Sequence, residues 1–266
     1  MAKRAKRATR SNPREERNFS REEKFSRNDR SYKTRNNVVS VNFASTSTKK
    51  KNVDIIPRSL NQETLVESLD NKSKHIVFAV GPAGCGKTLL ATLAAIKALK
   101  EGSIEKIVVS RPNIAVDDKD IGFLPGDIMQ KMAPWMAPIF DVFSEYYSQK
   151  EIQMMVEEKI IEVVPVAYIR GRTFKNCYLI FDEAQNSTPS SLLSVLTRIG
   201  ENSKLIITGD VRQSDRMKNN GLADFIRRYD NSNYSKHIDA IYFEEKDVER
   251  HPVIKDVLKI YKDMEI

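Results

Sequence analysis

A continuous apolar run at 76–80 (Ile-Val-Phe-Ala-Val), a glycine-rich turn, and a Leu- and Ala-rich stretch at 89–99 set the pattern that the rest of the chain repeats. A short apolar run bounded by turn residues reads as a strand buried on both faces, and the Leu/Ala stretch reads as a helix. Runs of the first kind predict strands at 76–80, 106–110, 160–165, 178–181, 204–208 and 240–243. Helical spacing of apolar residues predicts helices near 89–100, 132–147, 151–159, 189–199, 222–229 and 248–261. Strands and helices in alternation specify an α/β fold of three layers, a mainly parallel sheet between two layers of helices. In such sheets ligands gather beyond the carboxyl ends of the strands, so residues just after each strand become the candidates for chemistry. One stretch departs from the pattern. Residues 121–138, with Gly122, Pro125, Gly126, Pro134, Trp135 and Pro138, predict a rigid irregular insertion whose Trp135 is expected to pack between helices, with stacking on a base as the alternative.

Charge divides the 266 residues unequally. Residues 1–51 carry 16 Lys and Arg against 5 Asp and Glu, a net of +11, while the remainder nets −3 within a total of +8. Residues 1–52 have only Phe19, Phe25, Tyr32 and Phe43 as aromatics, too little apolar surface to offset the entropy of ordering. They are expected to form a disordered basic arm, with 53–266 as the folded domain. Such an arm suits a phosphate backbone, RNA or single-stranded DNA, with counterion release as the driving force; the plainer expectation is a solubilising extension. No apolar run reaches about 18 residues, which excludes a membrane-spanning helix, and the basic start lacks the apolar segment of a secretory signal. Cys85 and Cys177 fall in a glycine loop and a predicted buried strand, which predicts free thiols and a reducing, cytoplasmic setting.

The chemistry starts at Gly81-Pro82-Ala83-Gly84-Cys85-Gly86-Lys87-Thr88, which fits the template G-x-x-x-x-G-K-[ST] between a strand and a helix. Glycines let backbone N–H groups converge on phosphate oxygens, and the helix N-terminus adds partial positive charge. Lys87 is expected to reach the β- and γ-phosphates of ATP, and the Thr88 hydroxyl to ligate Mg²⁺. The strand at 178–181 ends in Asp182-Glu183, which predicts a second Mg²⁺ residue in Asp182 and a water-polarising base in Glu183. A nucleotide binder without hydrolysis has no need of that second carboxylate. After the strand at 204–208 comes Gly209-Asp210-Val211-Arg212-Gln213, which predicts a γ-phosphate sensor in Gln213. Arg111, Arg170, Arg172, Arg198 and Arg250 are candidates to grip a polynucleotide backbone or to act as an arginine finger, because the planar guanidinium donates two hydrogen bonds at once.

Taken together, VFAVGPAGCGKT (77–88), SRP (110–112), IGFLPGD (121–127), IEVVPVAYIRGRTF (161–174), LIFDEAQN (179–186), LTRIG (196–200), TGDVRQSD (208–215) and EEKDVERHP (244–252) resemble the PhoH family of P-loop ATPases. The resemblance runs from about residue 61 to about residue 261. It implies a RecA-like core related to superfamily 1 helicases, ATP binding and hydrolysis, a homo-oligomeric ring such as a hexamer, and a link to RNA. That last link comes from relatives with an extra nuclease domain, for which this chain is expected to be too short. The resemblance also implies that Gln62 reads adenine, and it offers Arg250 as a finger acting on a neighbouring subunit. The chain departs from the family pattern at Cys85, where Thr is usual; a thiol in the loop predicts sensitivity to oxidation. It departs again after Gln213-Ser214-Asp215, where 216–220 is short and rich in Lys and Asn. Two functions compete: an ATPase coupled to RNA or single-stranded DNA, and a nucleotide-switched assembly or regulatory protein with little turnover. A small-molecule kinase fits less well, because Asp-Glu followed by Gly-Asp-x-x-Gln is the pattern of a hydrolase.

Overall fold

A computed structural model describes residues 52–112, 128–213, 219–232, 235–249 and 253. Six parallel strands form one sheet in the order β3-β2-β4-β5-β1-β6: β1 (Ile76–Val80), β2 (Lys106–Ser110), β3 (Ile161–Val163), β4 (Cys177–Phe181), β5 (Lys204–Gly209) and β6 (Ile238–Tyr242). All six predicted strands are present, and all pairings are parallel. β3 is shorter than expected, because after Val163 the chain leaves the sheet through Pro165 into a 3-10 turn, Val166–Tyr168.

The continuous apolar runs are explained by burial on both faces. In β1, Val77 and Ala79 pack into one core while Phe78 and Val80 pack into the other. Successive residues of β2, β4 and β5 divide in the same way, as a side-chain period of two requires. The first core is covered by α1 (Leu60–Asp70), α2 (Lys87–Lys100), α3 (Ile128–Ser144) and α4 (Gln149–Glu157). The second is covered by α5 (Pro189–Leu196) and α6 (Gly221–Asp230). Cys85 lies in the first core and Cys177 in the second, both buried and free of any disulfide, as expected.

Two elements differ from expectation. The apolar pattern does not predict α1, because LNQETLVESLD has few apolar positions and only Leu65 and Leu69 among them are buried. Its start signal is polar: Ser59 caps the helix by accepting a hydrogen bond from Gln62 N at 3.3 Å. Its C-terminus is held by Lys204 of β5, whose ammonium donates to the carbonyls of Ser68 (3.2 Å), Leu69 and Asn71 (3.0 Å). Burial lowers the Lys204 pKa to about 8, with Asp70 opposing the shift. The second difference is at 128–138, which is helical rather than irregular despite Pro134 and Pro138. The rest of the predicted insertion, the side chain of Trp135, the predicted helix at 248–261 apart from 248, 249 and 253, and the basic arm at 1–51 lie outside the described residues.

Candidate functional site

β5 separates β1 from β4, and their registers (Val80 opposite Gly209, Phe181 opposite Ile207) bring three carboxyl ends within two residues of one another. The phosphate loop, the Asp182-Glu183 pair and the Gly209–Gln213 segment therefore meet at one edge of the sheet. They line a cleft of about 250 Å³ that includes Gly84, Lys87, Thr88, Asp182, Glu183 and Gln213. A larger cavity of about 480 Å³ lies at the opposite edge, around Asp70, Tyr178 and Lys204. We place the site at the smaller cleft, because parallel sheets bind ligands at their carboxyl edge.

The loop is shaped by what surrounds it. Gly81 has φ +150°, and a Cβ there would stand 2.5 Å from the Phe243 carbonyl oxygen, so only glycine lets the chain turn beneath the end of β6. Lys87 begins α2, is 8% exposed, and donates from Nζ to the carbonyls of Gly81 and Pro82, each at 2.7 Å. Burial lowers its pKa, and Cys85, Asp210, Glu183 and Asp182 oppose the shift. Beneath the loop lies Gln62 of α1, 4% exposed. Its Nε2 donates to Cys85 O at 3.1 Å, and its Oε1 accepts from Arg58 N at 2.8 Å. Gln62 thus holds the loop's backbone from below. The Cys85 thiol is fully buried and donates to Glu244 O at 3.8 Å, which removes the access that oxidation requires. Glu249 N binds Gly84 O at 3.0 Å, so the segment after β6 also clasps the loop.

Asp182 receives two hydroxyls on one oxygen: Thr88 Oγ1 at 2.8 Å and Thr208 Oγ1 at 2.5 Å from Oδ1. A hydroxyl beside a carboxylate, at the foot of a phosphate loop, is a donor set suited to Mg²⁺, which takes oxygen ligands and keeps several waters. Glu183 has φ +55°, and both of its carboxylate oxygens are engaged: Oε1 with Arg111 Nη2 at 3.2 Å, Oε2 with Gln185 Nε2 at 2.5 Å. Gln185 Oε1 in turn accepts from Asp210 N at 3.1 Å, which ties the β4 and β5 loops together. A Cβ on Gly209 would come within 2.7 Å of that Gln185 oxygen. Gln213 is exposed at the cleft, and its N–H donates to Asp210 O at 3.2 Å.

Of the predicted residues, Ala83, Gly84, Gly86, Lys87, Thr88, Asp182, Glu183 and Gln213 line one cleft, while Gln62 supports it from behind. The candidate arginines separate. Arg172 is bound bidentately to Glu162 at 2.7 and 2.9 Å and lies over the Phe174 ring, so its fork is already filled. Arg198 donates to Ser194 O and Thr197 Oγ1 of its own helix end. Arg111 faces Glu183, Arg170 lines a neighbouring cleft, and Arg250 lies outside the described residues. Thr208 and Gln185 join the site without having been predicted. Thr208 is legible in part as the polar residue closing an apolar strand. Gln185 gives no such signal, because its two partners come from separate loops.

A parallel sheet with one strand between the phosphate-loop strand and the Asp-Glu strand, and a loop lysine, a hydroxyl–carboxylate pair and a second carboxylate at its carboxyl edge, define a P-loop NTPase. The chain belongs to the PhoH family, whose description, PhoH-like protein, matches residues 54–262. The PhoH-like protein of Bacillus subtilis (strain 168) is 38% identical over 216 residues, 79% of this chain and 65% of that protein. Protein PhoH of Escherichia coli (strain K12) is 37% identical over 194 residues, 71% of this chain and 54% of that one. The chain therefore spans between about half and two thirds of the length of these relatives. Among solved structures, the helicase domain of Hef from Pyrococcus furiosus aligns at a TM-score of 0.41 and 13% identity, covering 70% of this chain and 38% of that one. The Pif1 helicase of Candida albicans aligns at 0.39 and 16%, covering 79% and 44%. Likeness at that level says nothing of function. Among the described residues no helix is long and apolar enough to cross a membrane.

Proposed function

We propose that the chain binds ATP with Mg²⁺ and hydrolyses it, and that hydrolysis is coupled to RNA or single-stranded DNA. The observation that carries the first part is the convergence of Lys87, the Thr88–Asp182 pair, Glu183 and Gln213 on one cleft. Loop N–H groups and Lys87 would cradle the β- and γ-phosphates. Thr88 and Asp182 would hold Mg²⁺, which neutralises charge on the transferred phosphoryl group when bound. Glu183 would orient and polarise the attacking water, and Gln213 would report the γ-phosphate from the β5 loop. Coupling to a polynucleotide is favoured by the net +11 of residues 1–51 and by the arginines after β2 and β3. Within the same reading, 1–52 is a tethering arm, 53–266 is the working domain in the cytoplasm, and subunits assemble into a ring in which Arg250 completes a neighbour's site.

Steady-state ATP hydrolysis by the full chain and by Glu183→Gln, beside binding of a fluorescent ATP analogue, tests the reading. Glu183→Gln is expected to keep ATP affinity and lose turnover by roughly 100-fold or more, the scale of positioned base catalysis. Equal turnover in both proteins would remove Glu183 from the reaction. A second reading, a nucleotide-switched protein with little turnover, is favoured by one observation: the Glu183 carboxylate is ion-paired to Arg111. In that case wild type itself binds ATP and does not release phosphate.

A further inference from the structure

Next to the nucleotide cleft, on the same edge of the sheet, lies a second cleft of about 360 Å³. Pro112, Arg170, Asn186, Ser187, Thr188 and Ser191 line it. Its lining holds a guanidinium, an amide and three hydroxyls, of which Ser187 donates to Ala184 O and Thr188 to Ser191 Oγ, and it contains no carboxylate, which favours an anionic occupant. Tyr168, which ends the 3-10 turn leading to Arg170, is 60% exposed, a ring on which a base can stack. Phosphate acceptors and stacking bases occur together in a single-stranded polynucleotide.

Both walls of this cleft lead back to Glu183. Pro112 follows Arg111, whose guanidinium is paired with Glu183 Oε1 at 3.2 Å. Asn186 closes the 3-10 turn Ala184–Asn186, which starts from Glu183, carries Gln185 and is fastened by Asn186 N to Glu183 O at 3.0 Å. Gln185 holds the second oxygen of the same carboxylate. Glu183 is thus held from both sides by residues one position away from the lining of the second cleft, Arg111 before Pro112 and Gln185 before Asn186. Paired with a guanidinium, Oε1 already has a donor in the place an attacking water would take.

We propose that Arg111 is a latch on Glu183, and that a single strand of RNA or DNA seated in the Arg170–Ser191 cleft opens it by drawing Arg111 to a phosphate. The inference rests on the reading of the chain as an ATPase coupled to a polynucleotide, and gives that coupling a place and a mechanism. Arg111 is a positioning residue: it acts through Glu183, not on the nucleotide. Phosphodiesters compete for Arg111 because a planar guanidinium fork can grip a phosphate through two nitrogens at once. Once Arg111 leaves, Oε1 of a carboxylate that already lines the cleft with Lys87 and Thr88 can take a water in place of the guanidinium, while Gln185 still holds Oε2.

The test measures phosphate release by full-length wild type, Arg111→Ala, Arg170→Ala and Tyr168→Ala, with and without poly(U) or poly(dT). Binding is followed in parallel by anisotropy of a labelled oligo(dT) and oligo(U). Arg111→Ala is expected to raise the polymer-free rate by roughly threefold, the scale of a half-exposed ion pair, and to flatten stimulation by polymer. Arg111→Ala combined with Glu183→Gln is expected to be inactive, since the raised rate runs through Glu183. Arg170→Ala and Tyr168→Ala are expected to weaken oligonucleotide binding roughly 5- to 100-fold. A wild type stimulated by polymer, with an Arg111→Ala whose polymer-free rate is unchanged or lower, overturns the latch and leaves the coupled ATPase standing. Wild-type binding by both Arg170→Ala and Tyr168→Ala overturns the site in the same way. A wild type that hydrolyses ATP but ignores both polymers removes the coupling and the latch together.

Discussion

Thr88 Oγ1 donates to Asp182 Oδ1 across 2.8 Å, joining residues 94 positions apart in the chain. The contact exists because β5 alone separates β1, which leads through the loop to Thr88 at the start of α2, from β4, which leads to Asp182, and because the strand ends lie within two residues of one another in register. Neither residue has a role alone. A threonine after a loop lysine and an aspartate after an apolar strand become a candidate for the proposed Mg²⁺ only when their oxygens share one place.

Thr208 completes that place from β5 with a hydroxyl aimed at the same carboxylate oxygen. Thr208→Val keeps the shape and removes one buried donor from Asp182. A hydrogen bond to a charged group contributes about 1.5–3 kcal/mol, so Mg²⁺-dependent ATP affinity is expected to fall by roughly tenfold or more. Binding of a fluorescent ATP analogue in Mg²⁺ and in EDTA separates the effects: the loss should appear only with Mg²⁺. An equal loss in both would assign Thr208 to the fold of the cleft instead of the metal.

Gln62 supports the loop through its backbone, so its loss should be felt by any nucleotide. Gln62→Leu leaves Cys85 O and Arg58 N without their amide partner, and each such loss costs about 1–3 kcal/mol. Affinities for ATP and GTP are expected to fall by the same factor, with a lowered midpoint in chemical denaturation. A loss confined to ATP would mean that Gln62 reads the adenine base, as the family resemblance implies.

Lys204 links stability to pH. Burial brings its pKa down to about 8 in the folded chain from an ordinary value of 10.5. Between those values the unfolded chain binds more protons, so this residue's contribution to stability rises with pH and is smallest below pH 8. The stability of wild type relative to Lys204→Met is expected to grow by up to about 3 kcal/mol between pH 8 and 10.5. Urea denaturation of both proteins across that range supplies the comparison. A constant difference would show that the amine stays charged among its three carbonyls.

Much of the fold is open to inspection in the linear chain. The apolar runs predict six strands, because a strand buried on both faces has nowhere to place polar residues. The phosphate loop, Asp182-Glu183 and Gln213 are legible because each comes after a strand, where a parallel sheet presents its ligands. α1 is not, because its stability comes from Ser59 at one end and Lys204 at the other rather than from an apolar stripe. Arg172 looks as available as Arg111 in the chain, yet Glu162, ten residues before it, holds it in the fold.

Local patterning was enough for the class of fold, the nucleotide loop and the order in which the chemistry arrives, since it sets which segments are strands and which residues stand at their carboxyl ends. Partners came from the folded state alone. Thr208 and Thr88 meet on Asp182, Gln62 meets the loop from beneath, and Arg111 and Gln185 close on Glu183. Those contacts arise from strand order and register, which depend on how the whole sheet packs its two cores and which no stretch of sequence encodes alone.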